Sequence, residues 1–427
     1  MSDFIKKELF PGVELVSVPA HRFKTNEISA SFLCPLTDSK AASVNAVLIN
    51  MLSHTGAEFP AMEQLNKKLA YLYGASLRAS VAKTGENQML SLNITSLDDR
   101  FSLMGTSIVL ECAELLLSLI FNPNFDDNGN FRQADIQREK RLVAEKIESE
   151  ENEKRIYSLN RAQQIMFKGE PFAINKYGTV DDVNCVTARE LKDALKYLVE
   201  GSKVRFTVVG SCDTKDIEQM ISEKFSSVER NYVKPQAAVF IPQALSINNA
   251  EERIDVKQGK LVLGFRVNMK SDDENTDAMR AFCDVFGGGP YSKLFANVRE
   301  KLSLCYYCSA RYDRRKSCIM IQCGCEEENM DKAVNEILNQ LDEIKKGNFD
   351  EEFASSKIGL TDMINGVTDD SLSLLSWYSV QIADDKTVSP AQSAENNDNV
   401  TKEQIQHCAS LISLDTVYKL TCIKEAE

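Results

Sequence analysis

The same order of elements is written twice along this chain, and that repeat constrains its fold more than any other feature. The first copy has an alternating run, Ile28-Ser29-Ala30-Ser31-Phe32-Leu33, then an apolar helical run from about Ala41 to Leu52. The second has Leu261-Val262-Leu263-Gly264-Phe265-Arg266-Val267, then a helical run from Thr276 to Phe286. The copies lie about 233 to 235 residues apart. A period of two suits a sheet with one face toward a core, and a period of 3.6 suits a helix covering that face.

The far ends repeat as well. Val186-Thr187-Ala188-Arg189-Glu190-Leu191 starts a helix leading to the strand Val204-Arg205-Phe206-Thr207-Val208-Val209. Its counterpart, Val400-Thr401-Lys402-Glu403-Gln404-Ile405, leads to Val417-Tyr418-Lys419-Leu420-Thr421-Cys422, at an offset of about 214. Each Thr has Glu or Gln three residues on, the capping-box signal. A chain of 427 residues, 43% hydrophobic and 26% charged, suits two globular domains better than one core. The expectation is an α+β fold made by tandem duplication, with mostly antiparallel sheets and helices packed on one face. The domains would span 1–225 and 251–427, with Pro235 and Pro242 marking a linker over 226–250. A long helix is expected from Asp135 to Ala162.

In the second half, Phe286-Gly287-Gly288-Gly289-Pro290-Tyr291-Ser292-Lys293-Leu294-Phe295 continues through Arg299-Glu300-Lys301-Leu302 to Tyr306. Glycines after an apolar helix permit a tight turn and close backbone approach. A helix from about Pro290 to Leu302 would carry Arg299 near its end, and a strand from Leu304 would present Tyr306. Guanidinium and phenol are both donors suited to a peptide carbonyl oxygen or the oxyanion formed from it. On spacing alone, Arg299 could equally pair with a surface carboxylate and Tyr306 be half-buried.

This block resembles the second-domain signature of the insulinase-type (pitrilysin-like, M16) peptidases: glycine run, Ser-x-Leu-Phe, Arg-Glu-Lys, then Tyr. The resemblance implies that Arg299 and Tyr306, with Gly287, Gly288 and Gly289 shaping the turn, hold a peptide substrate. It also implies a zinc motif, His-x-x-Glu-His, on a helix of the first domain, with a Glu ligand downstream. The matching helix ends in Met51-Leu52, which puts the motif on Ala46 to Asn50. There Ala46, Ile49 and Asn50 stand where two imidazoles and a general base belong, and in the register of Glu139 to Ile147 the downstream ligand position is Lys146. Only His21, His54 and His407 occur, with no ligand-spaced pair; His54, in Ser-His-Thr-Gly, reads as a turn residue. The expectation is a zinc-less family member without catalytic residues or cofactor of its own. Members work in pairs, so the implied partner is a zinc-bearing homologue, or a second copy of this chain, with a peptide as substrate. The alternative is a structural or peptide-binding protein on the same fold.

A rival metal reading exists in Cys305-x-x-Cys308 with Cys318, Cys323 and Cys325. Against it, Cys318 to Cys325 reads as a strand with Cys323 and Cys325 on one face. Cys112, Cys185, Cys283 and Cys408 lie in or beside helical patterns, where a free thiol packs as a small hydrophobe. Glu145 to Glu153 reads as a solvated helix face, and Arg311, Arg314, Arg315 and Lys316 as a hairpin end. The formal charge of -13 argues against a nucleic-acid binder. The first twenty residues carry no apolar run of signal-peptide length, and no apolar stretch of membrane-span length, Walker loop or Gly-x-Ser-x-Gly elbow occurs along the chain. The expected location is cytoplasmic, with reduced thiols.

Overall fold

The computed structural model describes residues 3–103 and 105–423. Eleven strands run in chain order among them: β1 (Ile5–Phe10), β2 (Val13–Pro19), β3 (Thr25–Pro35), β4 (Ser76–Thr84), β5 (Asn87–Leu97), β6 (Lys203–Gly210), β7 (Asn248–Ile254), β8 (Lys260–Val267), β9 (Tyr307–Asp313), β10 (Cys318–Gly324) and β11 (Ile412–Cys422). They form two sheets, with orders β1-β2-β6-β3-β5-β4 and β7-β11-β8-β10-β9.

Without β1, the two orders are the same topology. In each sheet the last strand of the set inserts beside the first and runs parallel to it, β6 along β2 and β11 along β7. The remaining pairs are antiparallel: β3 with β6 and β5, and β4 with β5, in the first; β8 with β11 and β10, and β9 with β10, in the second. The offset runs of the sequence are therefore equivalent strands, and the fold is the expected duplicated α+β design. Both capping boxes form: Thr187 caps the Ala188–Glu200 helix with Glu190, and Thr401 caps the Lys402–Ser410 helix with Gln404.

The chain divides into two compact units that are discontinuous, where the sequence suggested two continuous halves. One contains 1–147, 174–237 and 366–389; the other contains 148–173, 238–365 and 390–427. The exchanged segments cover sheet faces. In the first unit, Leu15, Ile28, Phe32, Leu92 and Phe206 join the core under the Ser39–His54, Ile108–Phe121, Ala188–Glu200 and Lys215–Ser226 helices. The alternating residues Val16, Val18 and Val209 face the other way, onto Leu374, Leu375 and Tyr378 of the Ser371–Ser379 helix. In the second unit, Val262, Cys318, Met320, Tyr418 and Leu420 pack on Ala162 and Met166 of the Lys154–Met166 helix. Each sheet thus carries one helix from the other half of the chain, in addition to the helices of its own half.

Each of these helices is also held by a buried arginine. Arg205 donates from Nε to Glu14 (2.5 Å) and from Nη1 to the Tyr378 carbonyl (2.7 Å). Arg266 donates from Nε to Asp415 (2.9 Å) and from Nη2 to the Met166 carbonyl (2.8 Å) and Glu170 (3.1 Å).

The expected single helix from Asp135 to Ala162 is two, Gln133–Asn152 and Lys154–Met166. Glu153 breaks it by leaving helical geometry (ψ 93°) and accepting a bond from the Arg155 amide as N-cap. Glu145, Glu148, Glu151 and Glu153 are exposed, as a solvated face requires. Cys112, Cys283 and Cys408 are buried, but Cys185 is exposed, because it caps the short Val180–Asn184 helix at its open end. No helix among the described residues is long and apolar enough to cross a membrane.

Candidate functional site

In the first unit, the positions matched to the metal motif lie along the Ser39–His54 helix. That helix is capped by Asp38, which accepts from the Ala41 amide at 2.7 Å. Ala46 and Ile49 are fully buried and belong to the apolar core. Asn50 donates from Nδ2 back to the Ala46 carbonyl at 2.7 Å, and its Oδ1 accepts from the Lys146 ammonium at 2.7 Å. Asn50 and Lys146, 96 residues apart in sequence, therefore meet directly. Desolvation holds Lys146 below the ordinary lysine range, opposed by the charge of Glu139.

These residues do not fit a zinc ion. A methyl and a sec-butyl group offer no lone pair, and the carboxamide oxygen is already taken by an ammonium. That fixed cation stands where a second cation would be repelled. Nearby, the fully buried Glu139 accepts from Arg138 Nε at 2.8 Å and lies 2.9 Å from His54 Nδ1. His54 is the last residue of its helix and is engaged with this carboxylate, more than a turn residue alone.

In the second unit, the glycine run follows the Thr276–Gly287 helix. A Cβ on Gly287 would stand 2.8 Å from both the Ala310 backbone nitrogen and its Cβ in β9, so this glycine is demanded by close packing. Gly288 and Gly289 lie in the turn that follows. Asp284 fastens that turn, accepting from the Tyr291 hydroxyl (2.8 Å) and from Ser356.

The helix carrying Arg299 does not start at Pro290; residues 288–292 are turn and bend, and helical structure begins at Lys293. Over Phe295–Lys301 it is wound as a π-helix, with the Leu302 amide reaching the Asn297 carbonyl at 3.1 Å. Such windings are rare and concentrate at functional sites. Arg299 is partly exposed (42% of its side chain), stacks on Phe295 at 4.5 Å and lies 3.6 Å from Glu300. Ser303 then takes a left-handed conformation (φ 49°) that turns the chain toward β9. Tyr306 precedes β9 and does not lie within it, since the strand begins at Tyr307. Its amide is nonetheless bonded to the Gly324 carbonyl at 2.8 Å, which fixes the backbone. The ring is 61% exposed, and the hydroxyl donates to Glu326 at 3.1 Å, an interaction that raises its pKa.

Beside Tyr306 the structure brings together three of the five cysteines that the sequence offered as a rival metal set and that strand alternation argued against. The sulfurs of Cys305, Cys308 and Cys323 all lie within 4.8 Å of one another, and all three residues are buried. Cys308 and Cys323 are directly opposed across the β9–β10 hairpin, with sulfurs 2.8 Å apart. Hydrogen bonds from the Cys308 and Cys323 thiols hold Cys305 below the ordinary thiol range against the opposing effect of burial, and the charge of Arg299 reinforces them. Burial pushes Cys308 up, and the bond to Cys305 pushes Cys323 up. The turn at Arg314 to Ser317 was the available signal: counting outward from it places Cys308 opposite Cys323. The basic group there is a hairpin end, as expected, although Lys316 folds inward to pair with Glu170.

Comparison with known proteins gives concordant results. Residues 186–358, which include Arg299, Tyr306 and the glycine run, match the family model described as "Peptidase M16 inactive domain". The chain is 29% identical over 413 residues to "Probable inactive metalloprotease YmfF" of Bacillus subtilis, covering 94% of each. A crystal structure of a conserved protein from Enterococcus faecalis matches over 100% of both chains, with a TM-score of 0.89 and 25% identity. A peptidase M16 inactive domain from Pseudomonas fluorescens also matches over 100% of both chains; at a TM-score of 0.77 and 15% identity it speaks for the fold alone. With the duplicated sheets and the signature around Arg299, these matches show a chain similar, over residues 186–358, to the peptidase M16 inactive domain and, over nearly its whole length, to a probable inactive metalloprotease.

Proposed function

We propose that this chain is the non-catalytic subunit of an M16-type peptidase, pairing with a zinc-bearing homologue and contributing Arg299 and Tyr306 to peptide binding. The observation that carries the reading is a contrast between the two units. The motif positions of the first are sealed by buried Ala46 and Ile49 and by the Lys146–Asn50 bond. In the second, the Arg299 and Tyr306 side chains stay exposed on a backbone pinned at Tyr306. A guanidinium and a phenol together can donate to one peptide carbonyl and keep donating as negative charge grows on its oxygen. Tyr306 would exchange its bond to Glu326 for the substrate, and Arg299 would leave its loose contact with Glu300.

The test is reconstitution with a zinc-bearing homologue of similar length, following hydrolysis of a quenched fluorescent peptide. Loss of one such donor costs roughly 2.7–4 kcal/mol of barrier in acyl-transfer sites, about 100- to 1000-fold in rate. Arg299→Ala and Tyr306→Phe are each expected to lower kcat by that order while the complex still forms. Unchanged turnover in both variants would defeat the role and leave a structural or peptide-binding protein on the M16 fold.

A further inference from the structure

The cysteine cluster beside Tyr306 carries an inference independent of any role in proteolysis. We propose that Cys305, Cys308 and Cys323 form an all-sulfur site for a single soft d10 cation, Zn(II) or Cu(I). Soft thiolate ligands select ions of this class over hard cations.

Geometry is the ground for it. Three sulfurs holding one ion at about 2.3 Å in a tetrahedral array stand roughly 3.8 Å apart. The sulfurs here span separations from 2.8 Å to within 4.8 Å, so side-chain rotation of about an ångström would bring them to that spacing. The backbone that presents them is already fixed. Cys308 and Cys323 sit in register on paired strands. Cys305 is held on both sides, by the Leu304 amide on the Val298 carbonyl (3.0 Å) and by the Tyr306 amide on the Gly324 carbonyl (2.8 Å). Little chain ordering remains to be done on binding.

The donor set also discriminates. Among the described residues the group contains no carboxylate and no imidazole. Three sulfurs suit trigonal Cu(I) as they stand, and Zn(II) with a fourth ligand. Cys325 is fully buried two residues beyond Cys323 but is not one of the three residues whose sulfurs lie within 4.8 Å of one another. A Cys308–Cys323 disulfide is the competing outcome, but it would leave the third convergent thiol without a role. An ion here would tie the start of β9 to β10 and so stiffen the residue next to it, Tyr306.

The full-length chain, purified under reducing, oxygen-free conditions and stripped with a chelator, would be loaded separately with Zn(II) and with Cu(I), desalted and assayed for metal. About one ion per chain is expected in at least one arm, together with thiolate-to-metal charge-transfer absorption. Cys305→Ser, Cys308→Ser and Cys323→Ser should each lose it, while Cys112→Ser, in the first unit, should keep it. Should the serine variants misfold, alkylation of the wild type decides: metal must protect Cys305, Cys308 and Cys323 and leave Cys185 and Cys422 reactive. No retained metal in either arm overturns the proposal. So do serine variants that bind as well as the wild type, and so does a Cys308–Cys323 cystine in the protein as isolated.

Discussion

At the scale of single residues, Ala46 and Ile49 cannot ligate a metal wherever the fold puts them, since neither side chain has a lone pair. That misfit was legible from residue identity; the arrangement around it was not. The Lys146–Asn50 bond joins two helices, and no local pattern announces it. The same holds for the partners of Glu139, which the sequence used only to set a register, yet which is fully buried between Arg138 and His54. Breaking such a buried pair from one side leaves an uncompensated charge. Arg138→Met is therefore expected to destabilise the protein by about 3–5 kcal/mol. Glu139→Gln, which keeps a polar group in place, should cost about 1–3 kcal/mol. Urea unfolding checks both; equal midpoints for wild type and Arg138→Met would mean that His54 alone satisfies the carboxylate. The three cysteines teach a related lesson. Alternation assigned Cys323 to a strand face, but which residue lies opposite is settled by the turn, and the turn residues were read only as a charged cluster.

At the scale of elements, the alternating strands and the capped helix starts were read well, and the breaks and late starts poorly. The alternating runs became β3, β6, β8 and β11 because alternation fixes which face meets a core, and the capping boxes formed because they are local. The break at Glu153 rests on a cap to the Arg155 amide and the π-winding on the bond from the Leu302 amide to the Asn297 carbonyl, neither of which has a fixed sequence signature; the entry to β9 is set by the remote Gly324 carbonyl. Buried charge on the sheets was also missed, since Arg205 looks like an outward residue of an alternating strand. Its partner Glu14 feels burial first, which raises its pKa, but Arg205 and Lys6 outweigh that and hold it below the ordinary carboxylate value. A carboxylate with a depressed folded pKa adds stability that is complete above its unfolded value, near 4.3, and is lost as pH falls through the folded one. The unfolding midpoint should therefore drop with acid below about pH 4.3, and Glu14→Gln should flatten that limb of the profile. An unaltered acid limb in Glu14→Gln would assign the loss to other carboxylates. Because Glu14 would remain buried, Arg205→Met should cost about 3–5 kcal/mol at neutral pH.

At the scale of the whole chain, repetition in the sequence revealed two copies of one design but not that each compact unit needs a piece of the other half. The outer faces of the sheets carry short apolar sets, Val16, Val18 and Val209 on one and Val262, Met320 and Leu420 on the other, whose cover comes from remote sequence. In the first unit that cover is Leu374, Leu375 and Tyr378, with Ile382 set against Leu33 and Met89 of the same sheet. Four such side chains contribute on the order of 6–12 kcal/mol when fully buried. An average domain has only about 5–15 kcal/mol in total. A fragment of residues 1–237 should therefore fail to fold stably, leaving an apolar sheet face and the Arg205 guanidinium without the Tyr378 carbonyl. Appending residues 366–389 through a flexible Gly/Ser linker should restore a cooperative melt and abolish binding of a hydrophobic dye. If the shorter fragment melts as sharply and as hot as the extended one, the exchanged helix is an ornament on the sheet and not part of the unit's core.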